Sequence, residues 1–362
     1  MKLTEIFSEV PDFRLNRKKQ HELGDILVLV ICAVLSGAED FESIELYGKS
    51  KLPLLKGFLN LPNGIPSHDT INRVFRYMDK SKFSDCLVKW SKEILSSLES
   101  YQINIDGKVL RGTDKKGSKK SGICIVSAWV TEQNLVLGQT KVDKKSNEKT
   151  AIPELLNSLD LKNALVSMDA MGCNAKIANQ IIAGGGDYLL ALKQNNKDLH
   201  EEVADWLKRD RTDFDRYEKT DATGGRIERR RTTVCTDLDF LLEPKKFKNS
   251  RSIIQVESIR ESNEVITTDI RYYISSKVLS AKQFHEAVKN HWQIENNLHW
   301  MLDVVFKEDN NLTKKDNAPE NLATVRKICL QLCYQNKDMS IPKMRKRAAW
   351  DDDYLLGLIQ KF

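Results

Sequence analysis

INIDGKVLRG, residues 103–112, decides the fold. Ile103 and Ile105 alternate with polar side chains, the period of a half-buried strand, and the apolar part closes on Asp106. GICIVSAWV (122–130) and LVLGQTKV (135–142) follow, separated from it and from each other by polar loops. Strands joined this closely pair as an antiparallel meander. The order then changes. AIPELLNSLDL (151–161) reads as a helix with Pro153 in its first turn. ALVSMDA (164–170) reads as a buried strand ending at Asp169, AKIANQIIA (175–183) as a helix, and GGGDYLLAL (184–192) as a turn and strand. Strand–helix–strand–helix–strand makes this part of the sheet parallel. Gly184 to Gly186 read as a helix end, because no Gly-Lys-Ser/Thr follows to make a phosphate loop.

Outward from there, a charged helix spans about 198–209. RIERRRTTVCT (226–236), RSIIQVESIRE (251–261) and TTDIRYYISS (267–276) are strand-like. Ser280 opens a long helix to about Phe306, and residues 318–336 form another. Residues 1–100 read as helical, with segments at 22–35, 41–47, 70–78 and 81–97. The resulting class is mixed α/β. A helical region (1–100) precedes a core (101–209 and 278–336), which is interrupted by a β-rich insertion (210–277) and followed by a C-terminal tail (337–362).

The chain of 362 residues has 30% charged side chains and a net charge of +6, compatible with nucleic acid without being diagnostic of it. Its basic residues cluster at 14–19, 115–120, 226–231 and 343–347. Seven cysteines form no Cys-x-x-Cys pair, which argues against a zinc ribbon and for a reducing, cytoplasmic setting. The longest apolar run, ILVLVICAVLSGA (26–38), is shorter than the roughly 20 residues a membrane span needs and reads as a buried helix. In LPNGIPSHDTINRVF (61–75) a turn leads to Ser67 as helix cap. A helix exposing Asn72, Arg73 and Arg76 after such a turn suits a DNA reader; the alternative is a core helix with a wet face.

HWQIENNLHWMLDVVF (291–306) places Glu295 inside the long helix. Two carboxylates at buried strands and one on a covering helix suit two divalent cations, and with them phosphodiester cleavage and joining. A single aspartate after a strand is more often a cap for the next element, but two in adjacent strands weaken that alternative. His291 and His299 lie one turn to either side of Glu295 and offer a rival transition-metal face. The more ordinary expectation is that His291 meets DNA or a phosphate and that His299 packs.

IDGKVLRG (105–112), SMDAMGCNAKIANQI (167–181), DYLLALKQNN (187–196) and HWQIENNLHWMLDVVFKEDN (291–310), with LPNGIPSHDTINRVF, resemble the bacterial ISAs1-type insertion-sequence transposases, a group that includes the H-repeat-associated proteins. The likeness runs over nearly the whole chain. It implies an RNase H-like core with Asp106, Asp169 and Glu295 as the Asp-Asp-Glu triad. It also implies two Mg²⁺ ions (Mn²⁺ substituting), double-stranded element-end and target DNA as partners, a homodimer, and no membrane. Related IS4-type enzymes carry a β-rich insertion, in keeping with the 126 residues from Asp169 to Glu295. Their Tyr-x2-Arg-x3-Glu-x6-Lys signature corresponds here to Val288, His291, Glu295 and Leu302, so only the glutamate is kept. His291 is then the partial stand-in for the arginine, and Lys108, Arg111 and Lys193 are candidate phosphate contacts. The alternatives are an inactive DNA-binding relic and a nuclease that cuts without joining.

Overall fold

Alternating strand sequences build a single nine-stranded sheet. In the computed structural model, residues 6–96, 98–114, 122–142, 148–209, 211–223, 226–243, 246–262 and 265–360 are described. The lysine cluster at 115–120 lies outside them. The strands are β1 (Tyr101–Leu110), β2 (Ile123–Val130), β3 (Leu135–Lys141), β4 (Ala164–Met168), β5 (Asp187–Leu192), β6 (Asp215–Thr223), β7 (Arg226–Cys235), β8 (Ser252–Ser262) and β9 (Val265–Ser275). Their order is β3-β2-β1-β4-β5-β9-β8-β7-β6. The expected meander is β1-β2-β3, and β1, β4 and β5 are parallel. The strands of the insertion join the same sheet, because β9 pairs antiparallel with β5.

The two faces of β1 have different jobs. Ile103 and Ile105 are buried against Leu155 and Ile177, which belong to α6 (Glu148–Ser158) and α7 (Ala175–Ala183). On the other face the polar residues Gln102 and Asn104 meet α9 (Ala281–Gln293). Gln102 Nε2 donates to the Ala287 carbonyl (2.8 Å) and Asn104 Nδ2 to the Asn290 carbonyl (3.2 Å). Strand and helix are thus locked by groups that must be paired once buried. Asp106 belongs to this polar row. It lies inside β1 rather than at its end, since pairing with β2 continues to Leu110. β4 stops at Met168, which pairs with Ile105, so Asp169 leaves the sheet level with Asp106.

Among the described residues, the α-helices ahead of β1 are α1 (Leu23–Leu35), α2 (Phe41–Ser50), α3 (Leu52–Lys56), α4 (His68–Tyr77) and α5 (Lys80–Leu95). As expected, Ser67 caps α4, its side chain accepting from Thr70 N. Every residue of α1 from Ile26 to Leu35 is buried, as a core helix requires. Among the described residues no helix is long and apolar enough to cross a membrane. α8 (Lys197–Leu207) follows β5. The chain ends in α10 (Ala318–Gln335), α11 (Ile341–Trp350) and α12 (Asp352–Gln360), so most of the stretch assigned as a tail is helical. One apolar core is shared by α1, α4, α5, α10, α11 and α12, and it takes in Trp129 and Val136 from the sheet.

Two sequence expectations need correction. α6 starts at Glu148, so Pro153 lies inside it rather than in its first turn; the polar residues Glu148 and Thr150 extend the helix ahead of its apolar pattern. The long helix does reach Val305, but its pitch changes. Beyond Gln293 it is π-helical over Ile294–His299 and again over Met301–Val305. π turns are rare and concentrate at functional sites.

Gly112 closes the turn after β1 against the 308–311 segment. A Cβ there would collide with the Asn311 carbonyl oxygen and meet that of Asp309 at 2.7 Å. Gly112→Ala is expected to cost about 1–3 kcal/mol, since backbone must move to admit it; urea unfolding measures this.

Candidate active site

A cavity of about 180 Å³ lies where β1, β4, β5 and β9 meet the start of the π-helical segment. Asp106, Asp169 and Glu295 all line it, together with Lys193 and His291. Three chain segments far apart in sequence therefore bring their acids to one place.

Asp106 Oδ2 lies 3.6 Å from His299 Nδ1. Burial, with Lys108 and Lys327 nearby, pushes the His299 pKa down to about 3, so this imidazole is neutral and the contact is not an ion pair. His299 Nε2 is buried without a hydrogen-bond partner among the described residues. Asp169 caps the single 3₁₀ turn Ala170–Gly172, its Oδ1 accepting from Met171 N (3.0 Å). The capping role and the cavity position belong to the same carboxylate. Asn195 and Asn196 brace that turn from below, donating to the carbonyls of Ala170 (2.6 Å) and Cys173 (2.8 Å). Glu295 is exposed at the cavity mouth and makes no hydrogen bond or ion pair among the described residues.

His291 ends a buried polar chain. Its Nδ1 is 2.9 Å from Ser167 Oγ, which donates to Asn104 Oδ1 (2.6 Å). Burial lowers its pKa to about 4. It borders the cavity beside Asp169, Lys193 and Glu295. His291, Glu295 and His299 do not converge on one point either: the two rings face Ser167 and Asp106 respectively.

The other candidates separate. Lys193, at the end of β5, is exposed and lines the cavity. Lys108 does not. Its Nζ pairs with Asp303 and with Glu308 (2.7 Å) and is largely buried. It is a strut between β1 and the π-helical segment rather than a ready phosphate contact. Arg111 is exposed outside the cavity, its Nε 3.6 Å from Asp309. On α4, Arg73 is exposed, Asn72 is half-buried and Arg76 donates to Asp316 (2.7 Å); none of the three reaches the cavity. Of the lining residues that escaped the sequence reading, Arg271, Tyr273 and Trp292 carry polar or aromatic groups. The only signal for the first two was their shared phase in an alternating strand.

Carboxylates are the oxygen donors that hard divalent cations take, with water and substrate phosphate completing the shell. The three acids fit that chemistry as a shared cavity wall. Among the described residues, no three His, Cys, Asp or Glu side chains already form a cluster able to hold an ion.

His21, His285, His291 and His299 all have lowered pKa values, with burial as the leading cause. At pH 7 neither state carries much of this charge. As pH falls below about 6.5 the unfolded chain takes up protons that the native fold excludes, so stability drops. The melting temperature is expected to fall from pH 7 to pH 5, with a shallower slope in His285→Gln. Melts across that range check both.

The same chain matches known proteins over nearly its full length. Residues 99–332 match the family described as Transposase DDE domain, and residues 4–91 match the family described as DDE_Tnp_1-associated. "H repeat-associated putative transposase YhhI" of Escherichia coli (strain K12) is 40% identical over 368 residues, 99% of this chain and 97% of the relative. "Putative transposase YncI" of Escherichia coli O157:H7 is 39% identical over 98% of this chain and 93% of the relative. A shorter relative, "Inactive transposase YbfQ" of strain K12, is 53% identical over 73 residues, 20% of this chain and 87% of the relative. With Asp106 in β1 level with Asp169 just past the parallel β4 of a β3-β2-β1-β4-β5 core, this chain belongs to the Transposase DDE domain family and has its RNase H-like core.

Proposed function

We propose that this protein is a metal-dependent DNA transposase that cleaves at the ends of an insertion sequence and joins the freed 3′-OH to target DNA. The observation that carries the reading is the gathering of Asp106, Asp169 and Glu295 on one cavity wall. Asp106, Asp169 and Glu295 would hold two Mg²⁺ ions, or Mn²⁺ in their place, which would supply activation of the attacking oxygen and stabilisation of the leaving one. Asp106 would offer its carboxylate from within β1 and Asp169 from the turn just past β4. Glu295 would bring the third carboxylate from the π-helical segment, where its side chain is exposed. Lys193 offers its charge to a phosphate beside them. Water attacks the phosphodiester first; a new P–O bond replaces the P–O3′ bond, leaving a 3′-OH on the element end and a 5′-phosphate on the other fragment. That 3′-OH then attacks a target phosphodiester in the same cavity, joining the target's 5′-phosphate and displacing the target's own 3′-OH.

Residues 1–100 serve as the reader of element ends through Asn72, Arg73 and Arg76. The insertion (210–277) and the C-terminal residues (337–362) complete the scaffold around the core (101–209 and 278–336). Two copies act together on two ends. The first helices share their core with α10–α12. End reading is therefore tested with Arg73→Gln rather than by deletion; unchanged end-specific binding removes that role.

The test of the whole reading uses purified protein, Mg²⁺ and double-stranded DNA carrying the flanking element ends, with a tethered target. Cut and joined products establish a transposase, and cuts without joints a nuclease. The relative named inactive favours a second reading, a DNA-binding relic. It is the outcome if correct ends are bound and no product appears.

A further inference from the structure

Arg271, Tyr273 and Trp292 line two hollows at once: the catalytic cavity, and a neighbouring groove of about 70 Å³ between α9 and the insertion strands. The second groove is built by register. α9 covers the sheet only as far as Ile254, Val256 and Tyr273, which pack on Phe284, Ala287 and Val288. Beyond Val256 the same face of β8 presents Ser258 and Arg260. β7 sets Arg230 beside Ser258, and β9 sets Arg271 beside Val256. Lys289 of α9 closes the other wall.

The charge balance is positive. Arg230 and Arg260 share the Glu228 carboxylate (2.9 and 3.0 Å), and Arg271 pairs with Asp269 (2.7 Å). Lys289 has no ion-pair partner among the described residues. Four cations thus face two carboxylates, and the pKa of His285 in the same wall is lowered, chiefly by burial. The Arg271 guanidinium lies 4.1 Å from the centroid of the Trp292 ring. A cation held over an indole is oriented without using up its N–H donors. An arginine already fixed by an acid or a ring loses little freedom when a phosphate arrives.

We propose that one DNA strand leaves the catalytic cavity over the Arg271–Trp292 ridge and runs along this groove, its phosphates met by Arg230, Arg260 and Lys289. This rests on the reading of the cavity as a DNA-cutting site. A groove this small suits a single sugar–phosphate chain rather than a duplex. The expected partner is therefore a strand end or a frayed segment next to the cut.

The test is DNA binding by fluorescence anisotropy in EDTA, where no catalysis occurs. The probes are a mixed-sequence duplex with a single-stranded tail and the same duplex blunt. Arg260→Gln/Lys289→Gln is expected to bind tailed DNA about tenfold more weakly at roughly 0.15 M salt, with the log–log salt slope reduced by about 1–2. Blunt binding should change little. Arg271→Gln should lose tailed-DNA affinity and Arg271→Lys should recover part of it. Lys343→Gln/Lys346→Gln on α11 is the control expected to bind like wild type. Lys289→Gln alone, a change on a helix surface, serves if removal of Arg260 disturbs folding. Unchanged affinity and slope in a folded variant overturn the track, as does a wild type that does not prefer the tailed probe. The transposase reading stands or falls separately, on products formed with Mg²⁺.

Discussion

Asp106→Asn, Asp169→Asn and Glu295→Gln are each expected to slow DNA cleavage about a thousandfold or more, while DNA binding in EDTA stays close to wild type. Each substitution keeps the size of the side chain and removes its charge. A divalent ion held by carboxylates contributes several kcal/mol of transition-state stabilisation, and about 4 kcal/mol is a factor of a thousand. The folding cost should be small in all three. Glu295 is exposed, so its amide replacement meets water. An asparagine in place of Asp169 still accepts from Met171 N through its amide oxygen. An asparagine in place of Asp106 still meets a neutral imidazole, because burial keeps His299 uncharged. Single-turnover rates on end-bearing DNA decide the matter. A variant within tenfold of wild type removes that acid from the site.

Glu308→Gln is expected to destabilise the fold by about 3–5 kcal/mol, the cost of breaking a buried ion pair from one side. Glu308 is 2% exposed. Burial alone would raise its pKa, but Lys108, Lys327 and Arg326 outweigh that and keep it low. Lys327 is buried too, and burial brings its pKa down to about 8 against the opposing pull of Glu308. Without that carboxylate, several cations are left facing one another in the core. Lys108 also pairs with Asp303 on the second π-helical stretch. The network therefore ties β1, which carries Asp106, to the segment that carries Glu295. Urea unfolding at pH 7 measures the loss. A change below about 1 kcal/mol would mean that relaxation or water replaces the lost charge.

The sequence made β1 and β4 legible through side-chain polarity rather than burial, since residues 102–105 are all buried. Ile103 and Ile105 alternate with polar residues, and the run 164–168 ends at an acid. The π pitch was not legible. Ile294, Leu298 and Leu302 recur every four residues, a spacing that an ordinary helix also satisfies, and nothing local marks the wider turn. Lys108 was misread for a different reason. A lysine beside an active-site acid looks alike in sequence whether it faces phosphate or protein, and the acids that claim it, Asp303 and Glu308, lie about two hundred residues away. Arg271 went unnoticed because the pairing of β9 with β5, which carries it to the cavity, is a long-range event with no local signature.

The central claim is that Asp106, Asp169 and Glu295 hold divalent ions. Mn²⁺ uptake by the DNA-bound protein, followed by electron paramagnetic resonance, tests it most directly. The wild type and the Asp106→Asn/Asp169→Asn/Glu295→Gln triple variant would be titrated on the same duplex, so that uptake by DNA cancels. Protein-bound Mn²⁺ present in the wild type and lost in the triple variant is the predicted result. Equal uptake by both would contradict the account.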